Sequence, residues 1–148
     1  MKLATILISA LTATAAQAQD TRVWSVDTPK EADAWLRYGT LQSDDQPLAF
    51  TCVRKSGQVE LGVVIHKPVN SPQPASVTVA SEAAAVTLRG RAEPLRDGAL
   101  AGAEFSTLAP VAAAFRKTGL VTVTALGESV SPPPAPKGAV RKFFGACK

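Results

Sequence analysis

The chain has very little with which to do nucleophilic, redox or metal chemistry. Its 148 residues include one histidine, two cysteines, one methionine and one tyrosine. A serine or cysteine triad needs a histidine base, and only His66 could supply it. That residue follows a strand pattern, beside Lys67 and on the face read as solvent-side, where a base lacks positioned partners. A tetrahedral metal site needs four nitrogen or thiolate ligands, which Cys52, Cys147 and His66 cannot complete. The cysteines are also far from the two-residue spacing of a thioredoxin-type redox centre. There is no G-x-S-x-G, no H-E-x-x-H and no phosphate-binding glycine loop. The sequence therefore predicts no catalytic residue, no metal, no cofactor and no enzymatic activity.

Long hydrophobic runs are equally scarce. The one apolar stretch, in "MKLATILISALTATAAQAQD", follows Lys2 and closes on Ala16-Gln17-Ala18. Its short core and small-x-small ending match a cleaved secretory signal. It is too short for a bilayer core of about 30 Å. The expected organisation is a signal peptide over 1–18 and a single β-rich domain over 19–148, periplasmic or secreted and not membrane-spanning. The signal carries one lysine and no acid, so the net charge falls from +4 to +3 on its removal. So mild a surplus does not make the dense basic stripe of a nucleic-acid binder. It leaves room for weak association with anionic envelope polymers or lipid head groups.

In an oxidising compartment, two lone cysteines read as one disulfide. Cys52 and Cys147 are its expected ends. Cys147 closes a stripe with Val140, Phe143 and Phe144 at i, i+3, i+4 and i+7, one face of a helix. A short helix is marginal alone, so the bridge and the Phe pair are expected to hold it to the body.

That body reads as strands. In "LAFTCVR", Leu48, Phe50 and Cys52 share one face. In "QVELGVVIHK", Val59, Leu61, Val63 and Ile65 oppose Glu60, Gly62, Val64 and His66, and Gly57 between the segments predicts a hairpin. Alternation continues through "SVTVA", "AAVTLRG", "AGAEFSTL" and "LVTVTAL". Thr28 to Glu31 predicts a turn leading into a strand with Ala34, Leu36 and Tyr38. "APVAAAFRKTG" switches to helical spacing, with Pro110 at its start and Gly119 at its stop. The proline-rich "SPPPAPKG" reads as a stiff lead-in to the last helix. The expected architecture is mainly β: an antiparallel β-sandwich with one short internal helix and a C-terminal helix tied by the disulfide.

Several polar groups are candidates for binding. Arg89, Arg91 and Arg96 cluster in "LRGRAEPLRDG" and could grip an anion or guard an edge strand. Trp24, Trp35 and Tyr38 are large amphipathic rings suited to packing or to a partner surface. Glu60 and Glu104 fall on polar strand faces and could form an acid/base pair, depending on a separation the sequence does not contain. Asp44 and Asp45 are too few for calcium, which takes six to eight oxygens.

The layout "LRYG…SDDQPLAFTC…EFSTLAPVAAAFRKTG…FFGAC" resembles small uncharacterised exported envelope proteins. In these a tyrosine-glycine turn precedes the strand bearing the first cysteine, and an F-x-x-x-C helix closes the chain. Here the matching residues are Tyr38-Gly39, Cys52 and Phe143 through Cys147. The plan is also distantly similar to invasion-associated locus B proteins and to a type VI secretion accessory domain. The resemblance implies a paired-cysteine β-rich domain and carries no catalytic residues. The leading expectation is an exported non-enzymatic envelope module that binds a protein. The alternatives are a glycan-acting hydrolase or inhibitor-like factor using Glu60 or Glu104, and a weak binder of anionic polymer.

Overall fold

A computed structural model describes residues 21–148. The expected signal peptide lies outside the described residues. Nine strands and two helices follow in the order β1 (Val23–Asp27), β2 (Ala34–Gly39), β3 (Leu48–Cys52), β4 (Gln58–Ile65), β5 (Gln73–Ser81), β6 (Ala84–Leu95), β7 (Gly98–Ser106), α1 (Pro110–Thr118), β8 (Thr122–Ala125), β9 (Glu128–Val130) and α2 (Lys137–Cys147). Every pairing is antiparallel, and the strands form one sheet in the order β1-β2-β3-β4-β7-β6-β5-β8-β9. The β-rich class, the internal helix and the tied terminal helix hold. The sandwich is corrected to a single sheet curled into a half-barrel.

The curl has a local origin. β6 is twelve residues long and changes partners along its length. Its first part pairs with β5, from Ala84 to Ala92, while Arg91 to Leu95 pair with β7. The two ladders overlap at Arg91 and Ala92, so one strand belongs to both arms of the sheet. Gly90 sits at the parting point. A Cβ there would run into the carbonyl oxygen of Gly102, so a residue without one lets β6 close on β7 before it swings away.

The concave face is filled by the helices. Inward positions of β2, β3 and β4 (Leu36, Phe50, Leu61 and their neighbours) are fully buried, as the period-2 reading requires. Helix α1 packs against β5 and β6, α2 against β1 and β2, and the helices touch each other. Pro110 starts α1. Gly119 ends it at φ 76°, a left-handed cap that favours glycine, with its N–H donated to the Phe115 carbonyl at 2.8 Å. An aromatic path joins the layers. Trp24 lies 5.5 Å from Tyr38 and 6.2 Å from Phe115, and Phe115 lies 6.1 Å from Phe144.

The terminal helix is held in three ways. Val140, Phe143, Phe144 and Cys147 are buried on one face. The Cys52 and Cys147 sulfurs are bonded at 2.05 Å. The last carbonyls of α2, which no helical N–H can reach, accept from the β3–β4 turn: Lys55 N–H to Ala146 O at 3.1 Å and Gly57 N–H to Cys147 O at 2.8 Å. At the other end of the sheet, the Trp24 indole N–H donates to Pro133 O at 2.7 Å. The proline segment thus returns from β9 to β1 as a strap, consistent with its reading as a stiff lead-in.

Reducing the bridge is expected to cost about 4–5 kcal/mol, the chain-entropy value for a loop of this order. Guanidinium unfolding of the oxidised protein and of a Cys52→Ser/Cys147→Ser variant measures it. A difference under about 1 kcal/mol would mean that packing alone fastens the helix. Gly90→Ala should destabilise by about 1–3 kcal/mol, the usual cost of overpacking. A melting temperature equal to that of the native protein would show that the parting of β6 from β7 needs no close approach.

Candidate functional site

Because the concave face is committed to the helices, outward side chains are left to meet solvent. The register sorts them into rows running across the strands. One row is Asp27, Trp35, Thr51, Glu60 and Glu104, each paired to the next across β1, β2, β3, β4 and β7. The next row, two residues along each strand, is Arg37, Ala49, Gly62, Gly102 and Arg91, from β2 to β6. A third contains Val64, Leu100 and Glu93. The middle row is almost bare of side chains between its two arginines. The result is a trench of about 880 Å³ on the outer face, floored by Ala49, Gly62 and Gly102. Trp35, Thr51, Glu60 and Glu104 line one side, with Gln46 and Leu100 among the residues that complete its lining.

Charge is distributed unevenly along it. Glu60 and Glu104 stand directly opposite each other, a like-charge placement that costs stability in a sheet. Both are exposed, and neither takes part in the salt bridges found among the described residues. Arg89 and Arg91 line the β6 end. Arg91 reaches Glu93 at 3.4 Å, with both side chains largely exposed. Asp33 and Glu93 also belong to the lining, so four carboxylates there face two arginines. Outside that lining, the Arg37 guanidinium lies 4.1 Å from the Trp35 ring centroid, a cation–π contact. The Arg37 Nε is buried with no hydrogen-bond partner.

Of the residues singled out from sequence, Trp35, Glu60, Glu104, Arg89 and Arg91 converge on this one trench. Arg96 does not: it is exposed in the turn between β6 and β7 and is not part of the trench lining. Trp24 and Tyr38 also leave the surface set. They are paired neighbours on the inward face, Tyr38 is 6% exposed, and Trp24 packs on the core. Ala49, Gly62 and Gly102 were missed as site residues, since a floor announces itself by the lack of side chains. Alternation placed Gly62 on the Glu60 face, but only the register sets it beside Ala49 and Gly102.

The remaining candidates have ordinary surroundings. The His66 side chain is 92% exposed, and Glu128 accepts from its backbone N–H at 3.0 Å. No group of three or more metal-ligating side chains is assembled among the described residues. Asp45 is occupied by Arg22, whose Nε donates to Oδ2 at 2.8 Å and Nη2 to Oδ1 at 3.0 Å. The Thr40 hydroxyl donates to the same carboxylate at 2.9 Å. These bonds, chiefly from Arg22, hold its carboxyl below the ordinary aspartate value of 3.8. No helix among the described residues is long and apolar enough to cross a membrane. Comparison of the chain with protein-family models, with curated proteins and with solved structures finds no match.

A group whose folded pKa is depressed stabilises fully above its unfolded value and loses that contribution as pH falls through the folded one. The Arg22–Asp45 pair should therefore keep its full effect at neutral pH and lose it only below about pH 3.8. In an Arg22→Ala variant, the Asp45 carboxyl resonance is expected to titrate at higher pH than in the native protein. An unmoved midpoint would show that Arg22 is not the cause.

Proposed function

We propose that the protein is an exported, non-enzymatic module of the cell envelope that binds a component of that envelope in the trench on the outer face of its sheet. One observation carries the reading. Five residues singled out from the sequence, three as a possible ligand or partner surface and two as a possible acid/base pair, meet from four different strands in a single depression. Its volume lies within the range of small-molecule and cofactor sites.

The lining favours holding a ligand over transforming one. Glycoside hydrolysis needs one carboxyl kept protonated, usually by burial, beside a second that is ionised. Glu60 and Glu104 meet the demand for proximity, since they face each other across β4 and β7. Both, however, are exposed on the same outward face, with neither buried as such an acid usually is. The disulfide agrees with an oxidising compartment, where such bonds persist.

A photo-crosslinking residue placed at Ala49, on the trench floor, is expected to give a discrete adduct in the envelope. The same probe at Leu41, an exposed site outside the trench, is not. Gly62→Thr should abolish the Ala49 adduct by filling the floor. Equal adducts at both positions, or an adduct that survives Gly62→Thr, would place binding elsewhere or nowhere.

A further inference from the structure

We infer that two copies of the chain join through the free edge of β6, antiparallel about a two-fold axis at Thr87, so that their sheets continue into each other. The join needs no ligand in the trench and is independent of what the trench binds.

The exchange of partners along β6 leaves an edge inside the sheet. From Ala84 to Gly90 the strand has β5 on one side only, because its pairing with β7 begins at Arg91. Alternate residues of a strand turn their backbone groups to opposite sides. Pro74 has no N–H to give and stands opposite Arg91, so that pair exchanges no hydrogen bonds. Counting back by twos, Ala85, Thr87 and Arg89 also turn their N–H and C=O groups away from β5. No turn or loop backbone among the described residues bonds to them. The inward side chains are open on the same flank. Val77 and Val79 of β5 are buried, whereas Leu88 and Val86, their partners across the ladder, are only half-buried. A strand laid along this flank satisfies the backbone groups and covers both side chains.

A free edge is ordinarily shortened, charged or covered. At the outer edges of the sheet, β9 is three residues long, and β1 is five residues long and meets the proline strap at Trp24. The free run of β6, "AAVTLRG", is longer than either and carries one charge, Arg89. It is an edge left open.

The run is also complementary to itself. An antiparallel pair centred on Thr87 sets Thr87 against Thr87, Val86 of each copy against Leu88 of the other, and Ala85 against Arg89. All the outward-turned backbone groups then exchange hydrogen bonds. The Val86–Leu88 pairs fall at the positions between those bonds, where side chains stand closest. Moving the axis to Arg89 would set arginine against arginine, a destabilising placement. With the axis at Thr87, Ala83 of one copy counts opposite Arg91 of the other, so Glu82 in the β5–β6 turn is carried toward Arg89 and Arg91. Glu82 and Arg89 are exposed and take no part in the salt bridges found among the described residues. Each copy thus presents an acid where the other presents a base. That reciprocity favours a second copy over an unrelated strand.

Sedimentation equilibrium of the purified, disulfide-bonded protein from about 1 μM to about 1 mM, with amide hydrogen exchange at both ends of the range, tests this. The mass should rise from one chain to two. The amides of Ala85, Thr87 and Arg89 should exchange at least about tenfold more slowly in the concentrated sample, while those of β9 keep their rates. Thr87→Pro removes the central donor of each copy at a position where its own sheet does not use it. It should raise the dissociation constant at least about thirtyfold. Glu82→Gln should raise it about fivefold. A protein that stays a monomer at the highest concentration overturns the inference. So does a dimer in which the three amides remain unprotected, since its interface lies elsewhere. Full protection of those amides in the dilute monomer would mean that the chain covers its own edge, and overturns it too. A Thr87→Pro dimer as tight as the native one, or an unchanged constant in Glu82→Gln, takes the axis away from Thr87 and has the same consequence. If protection appears only on adding envelope extract, the occupant is a foreign strand and the second copy is ruled out.

Discussion

The fastening of α2 to the inside of the curled sheet is the constraint on which the rest depends. A single curved sheet has an apolar concave face that must be covered, and one helix of nine residues cannot cover it. α2 completes the filling with Phe143 and Phe144, both fully buried. The Cys52–Cys147 bond and the two carbonyls caught by the β3–β4 turn stop its last turn from fraying. With the interior closed in this way, the opposite face carries no structural duty. Its side chains can be chosen for something other than packing. A bare row of Ala, Gly and Gly across three central strands weakens those strands, which is tolerable only where the other face is well packed.

Much of the fold was legible because the interior obeys simple periods. Leu48, Phe50 and Cys52 alternate, and so do Val59 through Ile65, and all of these are buried. Pro110 and Gly119 bracket α1 as their chemistry requires. The stripe ending at Cys147 located α2 and its bond. What alternation does not encode is which strand lies beside which. The exchange of partners along β6 turned an expected two-sheet sandwich into one curled sheet, and its signal is a single glycine at position 90. The last strand, β9, is three residues long, too short for a period to show.

The site was legible as residue types and illegible as a place. Glu60 and Glu104 were recognisable as a possible pair, yet 44 positions separate their numbers, and the β4–β7 register alone sets them face to face. Trp24 and Trp35 are equally amphipathic in sequence. One turns inward to Phe115 and the other outward to Arg37 because they differ in parity relative to the buried positions of their strands. Arg96 shares a cluster with Arg89 and Arg91 in sequence but falls in a turn beyond the ladder, so nearness along the chain misled there.

The order of elements has a consequence for how the chain comes together. Both helices that cover the concave face follow seven strands, and Cys147 arrives 95 residues after its partner. During synthesis, the inward rows of Leu, Val and Phe emerge long before the helices that shield them. Such surfaces invite aggregation. Shielding of the interior therefore waits on α2 and does not proceed stepwise from β1.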